Sequence, residues 1–180
     1  LSYREFLEVH GLESSNRSLR DYLTFGGLPY LHNLPLEKDT VFEYLRNVYS
    51  TIILKDVVKR EGIRNVDFLE TLAAYTADNV GNLFSANNIS KYLKSQRVNM
   101  STIQVINYLK NLQNAYLIHK VRRIDVAGLR TFEIGDKYFF EDLGLRNCHS
   151  GFSMQQDINK LIENAVFLHL FQKGYEVYTG

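Results

Sequence analysis

Apolar residues recur at three- and four-residue steps through most of this chain, which predicts helices with one buried face. Ser2-Tyr-Arg-Glu5 reads as a capping box that starts a short helix, with Gly11 beyond its end. Residues 18–25 read as a second helix stopped by Gly26-Gly27, and Leu28 is held extended because Pro29 follows it. Over 39–60, Val41, Leu45, Val48 and Ile52 make a stripe, and the β-branched run Thr51-Ile52-Ile53 predicts a kink near Ser50. Asn65 caps a helix carrying Phe68, Leu69, Leu72, Ala73 and Tyr75 on one face. After a turn at 79–82, Ser85 caps a helix to about Ser95 with Ile89, Tyr92 and Leu93 inward. Ser101 caps the next, whose stripe Ile103, Ile106, Leu109 and Leu112 is assigned to the core.

The pattern then changes to alternation. Residues 116–124 read as a strand, 125–128 as a turn, 131–134 as a second strand, Gly135-Asp136 as a turn and 137–141 as a third strand. Helices followed by a β-hairpin in this order predict a winged helix, a variant of the helix-turn-helix. Residues 143–152 read as irregular and polar, 157–173 as a long amphipathic helix, and 175–178 as a strand. The expected fold class is mainly α (α+β). Three segments are expected: a helical segment at 1–62, a winged-helix domain at 63–147, and a helix-and-strand segment at 148–180.

Composition adds limits. With 12 Tyr and 11 Phe there is ample material for a core, while a net charge of +1 says nothing about partners, so any nucleic-acid case must rest on local clustering. Cys148 is the only cysteine, which excludes an internal disulfide and fits a reducing, cytoplasmic setting. No apolar run reaches transmembrane length, so no membrane partner is expected. The chain starts on Leu1 inside a capping pattern and stops at Gly180 beside a strand-like run, so a fragment of a larger protein is expected.

Candidate chemistry centres on the third helix of the winged unit. Thr102, Gln104, Asn107, Lys110 and Asn111 lie at outward positions and carry groups that read base edges or hold phosphates. Lys120, Arg122, Arg123 and Arg130 sit around the wing, and Lys91, Lys94 and Arg97 on the helix before. Duplex DNA is one expected partner. A protein partner or self-association is the other, since such polar faces are often only solvated and winged helices also dock proteins. The five histidines show no metal-ligand spacing, and Cys148-His149 lacks any visible base and orienting group. Gly26-Gly27-Leu28-Pro29 lacks the lysine and Ser/Thr of a phosphate loop. No catalytic residue, metal site or cofactor is expected within the chain itself.

Several segments together resemble a family of prokaryotic AAA+-like P-loop ATPases whose C-terminal region is of the DUF4143 type. These are 1–7, Gly26-Gly27-Leu28-Pro29, Tyr44-Leu45, Ile53-Leu54-Lys55-Asp56-Val57, the D-x-G-L-R-N-like run Asp142-Leu-Gly-Leu-Arg-Asn147, Leu161-Ile-Glu-Asn164 and Gly174-Tyr-Glu-Val-Tyr178. The resemblance implies an ATPase core before Leu1 that would hold ATP and Mg²⁺, with motion relayed to the winged helix. It also implies that 1–62 is a lid-like segment following that core and that 148–180 is the truncated start of a restriction-endonuclease-like α/β domain, opening near Asp157, whose helix acid would be Glu163. A non-catalytic fragment is expected, with a docking module or part of a nuclease-like domain as alternatives.

Overall fold

The computed structural model describes residues 1–63, 65–95, 97–125, 130–148 and 152–180, without the side chains of Leu54, Asp125 and residues 130–134. The order is α1 (Tyr3–His10), α2 (Asn16–Phe25), a 3₁₀ turn (Pro29–Asn33), α3 (Lys38–Thr51) and a π-helical stretch (Ile52–Lys59). It continues with α4 (Val66–Asp78), α5 (Ala86–Ser95), α6 (Thr102–Asn114), β1 (Ile118–Asp125), β2 (Arg130–Phe140), α7 (Leu143–Asn147) and α8 (Met154–Gln172). The fold is mainly helical with one small antiparallel sheet, as the patterning predicted at the level of class.

Local chemistry sets the helix starts. Ser2 and Ser101 each accept from the backbone N–H three residues on, and Glu5 and Gln104 return the bond to the cap N–H. Asn65 accepts from Phe68 N–H at 3.0 Å. Each satisfies donors that the first helical turn leaves without partners. The β-branched run 51–53 marks the change from α to π geometry, close to the expected kink.

The main core runs from α3 and the π stretch through α4, α5, α6 and both strands to α8, around Leu45, Leu69, Leu72, Leu109, Leu112, Ile118 and Phe140. A smaller cluster of Phe6, Tyr22, Leu23, Leu143 and Leu161 joins α1, α2, α7 and α8. Each such buried side chain contributes about 1.5–3 kcal/mol relative to exposure.

Four expectations change. Gly135-Asp136 is not a turn: it lies within β2, where Gly135 at φ +87° meets a shift in register between Arg122 and Ile124. Asp136 instead pairs in both directions with Phe84, at 3.1 and 3.0 Å, placing an extra bridge on the outer side of β2. The run 143–152, read as irregular, contains the buried helix α7. The run 175–178 is not a strand: Thr179 alone bridges Arg123, in parallel, with Ile124 N–H donating to Thr179 O at 2.8 Å. Among the described residues, the segment after Cys148 thus supplies one helix and one bridging residue rather than a sheet of its own. The expected turn at 125–128 lies outside the described residues, apart from Asp125 at the end of β1.

Finally, Ile103, Ile106 and Tyr92 do not face the core. A helix advances about 100° per residue. Ile103 and Leu112, nine residues apart, therefore lie on opposite sides, and no single stripe can hold both. The buried set is Val105, Leu109 and Leu112, with Tyr108 half-buried.

Candidate nucleic-acid interface

Burial of Val105, Leu109 and Leu112 fixes the rotation of α6, and this decides what the helix presents outward. Gln104, Asn107 and Lys110 are exposed together with Ile103 (70%) and Ile106 (50%), and Thr102 is half-buried. The five exposed positions fall within about 160° of one another on the helical wheel, so they form one face, with Thr102 at its edge. Asn107 and Lys110 make no hydrogen bond or ion pair among the described residues, whereas Gln104 Oε1 accepts from Ser101 N–H at 2.9 Å. Asn111, expected outward, is half-buried.

The cations lie on the elements that precede and follow α6 in the chain. Lys91, Lys94 and Arg97 are exposed on α5 and the turn after it. On β1, Arg122 is exposed and Arg123 half-buried, its backbone bridged to Thr179. Lys120 is held by Asp136 at 2.7 Å, which removes much of its reach toward an external anion. Arg130 pairs with Asp125 through the strand register, and its side chain, like His149, lies outside the described residues.

One signal was present in the sequence and hidden by the whole-chain average. From residue 79 to 124 there is no Asp or Glu, but there are seven cations: Lys91, Lys94, Arg97, Lys110, Lys120, Arg122 and Arg123. The remaining residues hold 14 Lys and Arg against all 20 Asp and Glu, a balance of −6 that offsets the +7. The charge is therefore segregated, and the positive part coincides with α5, α6 and β1. Within the segment no acid offsets these cations; across the fold Asp136 of β2 pairs with Lys120, and the other six are left to set the local potential. The exposed Ile103 and Ile106 were missed for the helical-phase reason given above.

Glu163 Oε1 accepts from Lys137 Nζ at 2.7 Å, and its carboxylate lies over the Cα of Gly81. Among the described residues no group of three His, Cys, Asp or Glu side chains could hold a metal ion. Cys148 is buried, and burial together with the Asp142 charge pushes its thiol up to about 12, far from a reactive thiolate.

The run 142–147 has an architectural role. Asp142 caps α7, accepting from Leu145 N–H at 3.0 Å and reaching across to Gly27 N–H at 2.7 Å. Burial raises its carboxyl pKa despite these bonds. Arg146, 3% exposed, donates to Ala77 O at 2.9 Å and pairs with Asp157 at 3.0 Å, joining α4, α7 and α8. Asn147 donates to Leu23 O and Thr24 O at 2.8 and 2.9 Å, which ties α7 to the end of α2. A Cβ on Gly144 would fall on the Phe25 carbonyl, so the glycine lets these two helices touch. This six-residue signature is accounted for by packing.

Comparison with known proteins gives the chain its family. A Haemophilus influenzae protein named only as uncharacterized is 34% identical over 186 residues, covering 100% of this chain and 45% of that protein. A Methanocaldococcus jannaschii protein, also uncharacterized, is 25% identical over 189 residues, covering 97% of this chain and 41% of that protein. The chain thus spans less than half the length of both relatives. No solved structure matches it. The family model that matches, over residues 16–156, is a domain of unknown function, DUF8612. This overturns the expected membership of the DUF4143-type AAA+-like ATPases: the matching family is a different one, and neither relative carries an ATPase description. The 142–147 run that suggested it is a short packing device, which a different family can share. The chain belongs to the DUF8612 family.

Proposed function

We propose that this chain is a nucleic-acid-binding module of winged-helix type, with α6 entering the major groove of duplex DNA and the β1–β2 ribbon contacting the backbone. The topology supports it: α4, α5 and α6 precede an antiparallel ribbon, and Phe84, between α4 and α5, bridges Asp136 of β2. The observation that carries the reading is the segregated charge, seven cations and no carboxylate over 79–124, around a helix whose outward groups include Asn107 and Lys110. Phosphate contacts by these cations would position the helix, while its outward side chains would meet base edges.

The test is a salt titration of duplex binding. The logarithm of affinity should fall linearly with the logarithm of salt concentration, with a slope of roughly −0.9 per phosphate contacted. Failure to bind at low salt ends the reading. The exposed Ile103 and Ile106 favour a second reading, a protein-docking face on α6. It predicts binding that is insensitive to salt and absent with DNA.

A further inference from the structure

The outward face of α6 mixes apolar and amide side chains in an order that bears on which bases it would meet. Its first two turns present Ile103, Gln104, Ile106 and Asn107, and the first cation, Lys110, comes only in the third turn. Arg and Lys are the side chains that most often read guanine, through O6 and N7. The leading part of α6 has neither. What it has suits an A·T pair. An Asn amide can bond adenine N6 and N7 together, and an apolar side chain can cover the thymine C5-methyl, the one apolar group on the major-groove edge.

The geometry ranks the two amides. Asn107 makes no hydrogen bond among the described residues, so both its donor and its acceptor are available. Gln104 spends its carbonyl oxygen on the Ser101 N–H and keeps only its amino group. Both isoleucines lie to one side of Asn107 on the same face, at 70% and 50% exposure. Two β-branched side chains left in water on a helix inside a segment of seven cations and no acid call for a partner that is anionic and yet offers apolar groups. Thymine-rich duplex DNA provides both.

We infer that α6 selects A·T-rich duplex DNA by covering thymine methyls with Ile103 and Ile106, with Asn107 reading adenine; this rests on the nucleic-acid reading above. The test measures equilibrium binding of the full chain to three duplexes of equal length: one A·T-rich, the same one with deoxyuridine replacing every thymidine, and one G·C-rich. Deoxyuridine keeps every phosphate and hydrogen-bonding group and removes only the methyl. The A·T-rich duplex should bind tightest, and the uracil exchange should weaken binding about fourfold for each methyl buried. In the Ile103→Ala, Ile106→Ala double variant, whose changed residues are exposed, the exchange should have no effect. Equal binding to all three duplexes, with a steep salt dependence, would overturn the base preference and leave the phosphate-contacting module standing. Tighter binding to the G·C-rich duplex would likewise overturn the preference alone. No binding to any duplex overturns both and turns attention to a protein partner.

Discussion

Asn164 of α8 is fully buried and grips one residue of β2 from the side: its Oδ1 accepts from Phe140 N–H and its Nδ2 donates to Phe140 O, both at 2.8 Å. The side chain takes the place a third strand would have taken at that edge of the sheet. One residue earlier, Glu163 joins the same helix to the same strand through Lys137, but at the surface. Two adjacent links between the same elements therefore differ in kind, a buried neutral amide pairing against a surface ion pair.

Their energies should differ accordingly. Asn164→Ala removes two buried hydrogen bonds and should lower stability by about 2–4 kcal/mol. Glu163→Gln, at a partly exposed ion pair, should cost about 0–1 kcal/mol. Urea midpoints of the two variants check this, and a larger loss at Glu163 than at Asn164 would reverse the ranking.

The Arg146–Asp157 pair makes a pH prediction. Burial pushes the Asp157 carboxyl up, but hydrogen bonds from Arg146, Lys160 and Ser153 N–H outweigh it and hold the pKa well below its ordinary 3.8. A carboxyl with a depressed folded pKa contributes stability above its unfolded pKa and loses it as pH falls through the folded value. Asp157→Asn should therefore be less stable at neutral pH, by about 3 kcal/mol because a buried guanidinium loses its counter-charge. The gap to the unsubstituted protein should narrow only below the ordinary carboxylate value of 3.8. Asp142, raised by burial, acts in the opposite sense but is present in both proteins and cancels in the difference. Denaturant titrations at several acid pH values give the curve.

Much of this architecture could be read from the chain because its signals are local. Ser2, Asn65 and Ser101 fix helix starts through bonds three residues long, and all three are found as caps. What could not be read depends on distant partners. Leu143-Gly-Leu-Arg-Asn147 looks too short and polar for a helix. It becomes one only because Ala77, Leu23, Gly27 and Asp157 satisfy its polar groups from elsewhere in the chain. Gly135 looked like a turn because its role, a positive φ opposite a register shift, needs β1 to be visible. On α6, the apolar residues outnumber those one buried face can hold, and only packing chooses among them. The cation cluster needed no structure at all, only a count over a window rather than over the whole chain.

Glycine substitutions separate packing from conformational freedom. Gly144→Ala would drive a methyl into the Phe25 carbonyl and the Leu45 side chain, at φ suited to any residue, and should prevent the docking of α7 on α2. Gly11 has φ +62° and nothing within 4 Å, so Gly11→Ala should cost only about 1 kcal/mol of backbone strain. Thermal unfolding should show a small shift for the second and loss of the cooperative transition for the first.

The charge argument is tested most directly by removing one cation at a time and reading the salt slope rather than the affinity alone. Arg122 is exposed on β1 and Lys110 is exposed on α6, so neither substitution touches the core. If each contacts a phosphate, Arg122→Ala and Lys110→Ala should each reduce the magnitude of the slope by about 1 and weaken binding about equally for all sequences. Lys120 provides the internal control. It carries the same charge but is committed to Asp136 at 2.7 Å, so Lys120→Ala should leave the slope nearly unchanged. Affinity that drops with an unaltered slope would mean the side chain was lost from a protein contact. A slope reduced equally by all three would mean that the general field of the segment, rather than placed contacts, holds the DNA.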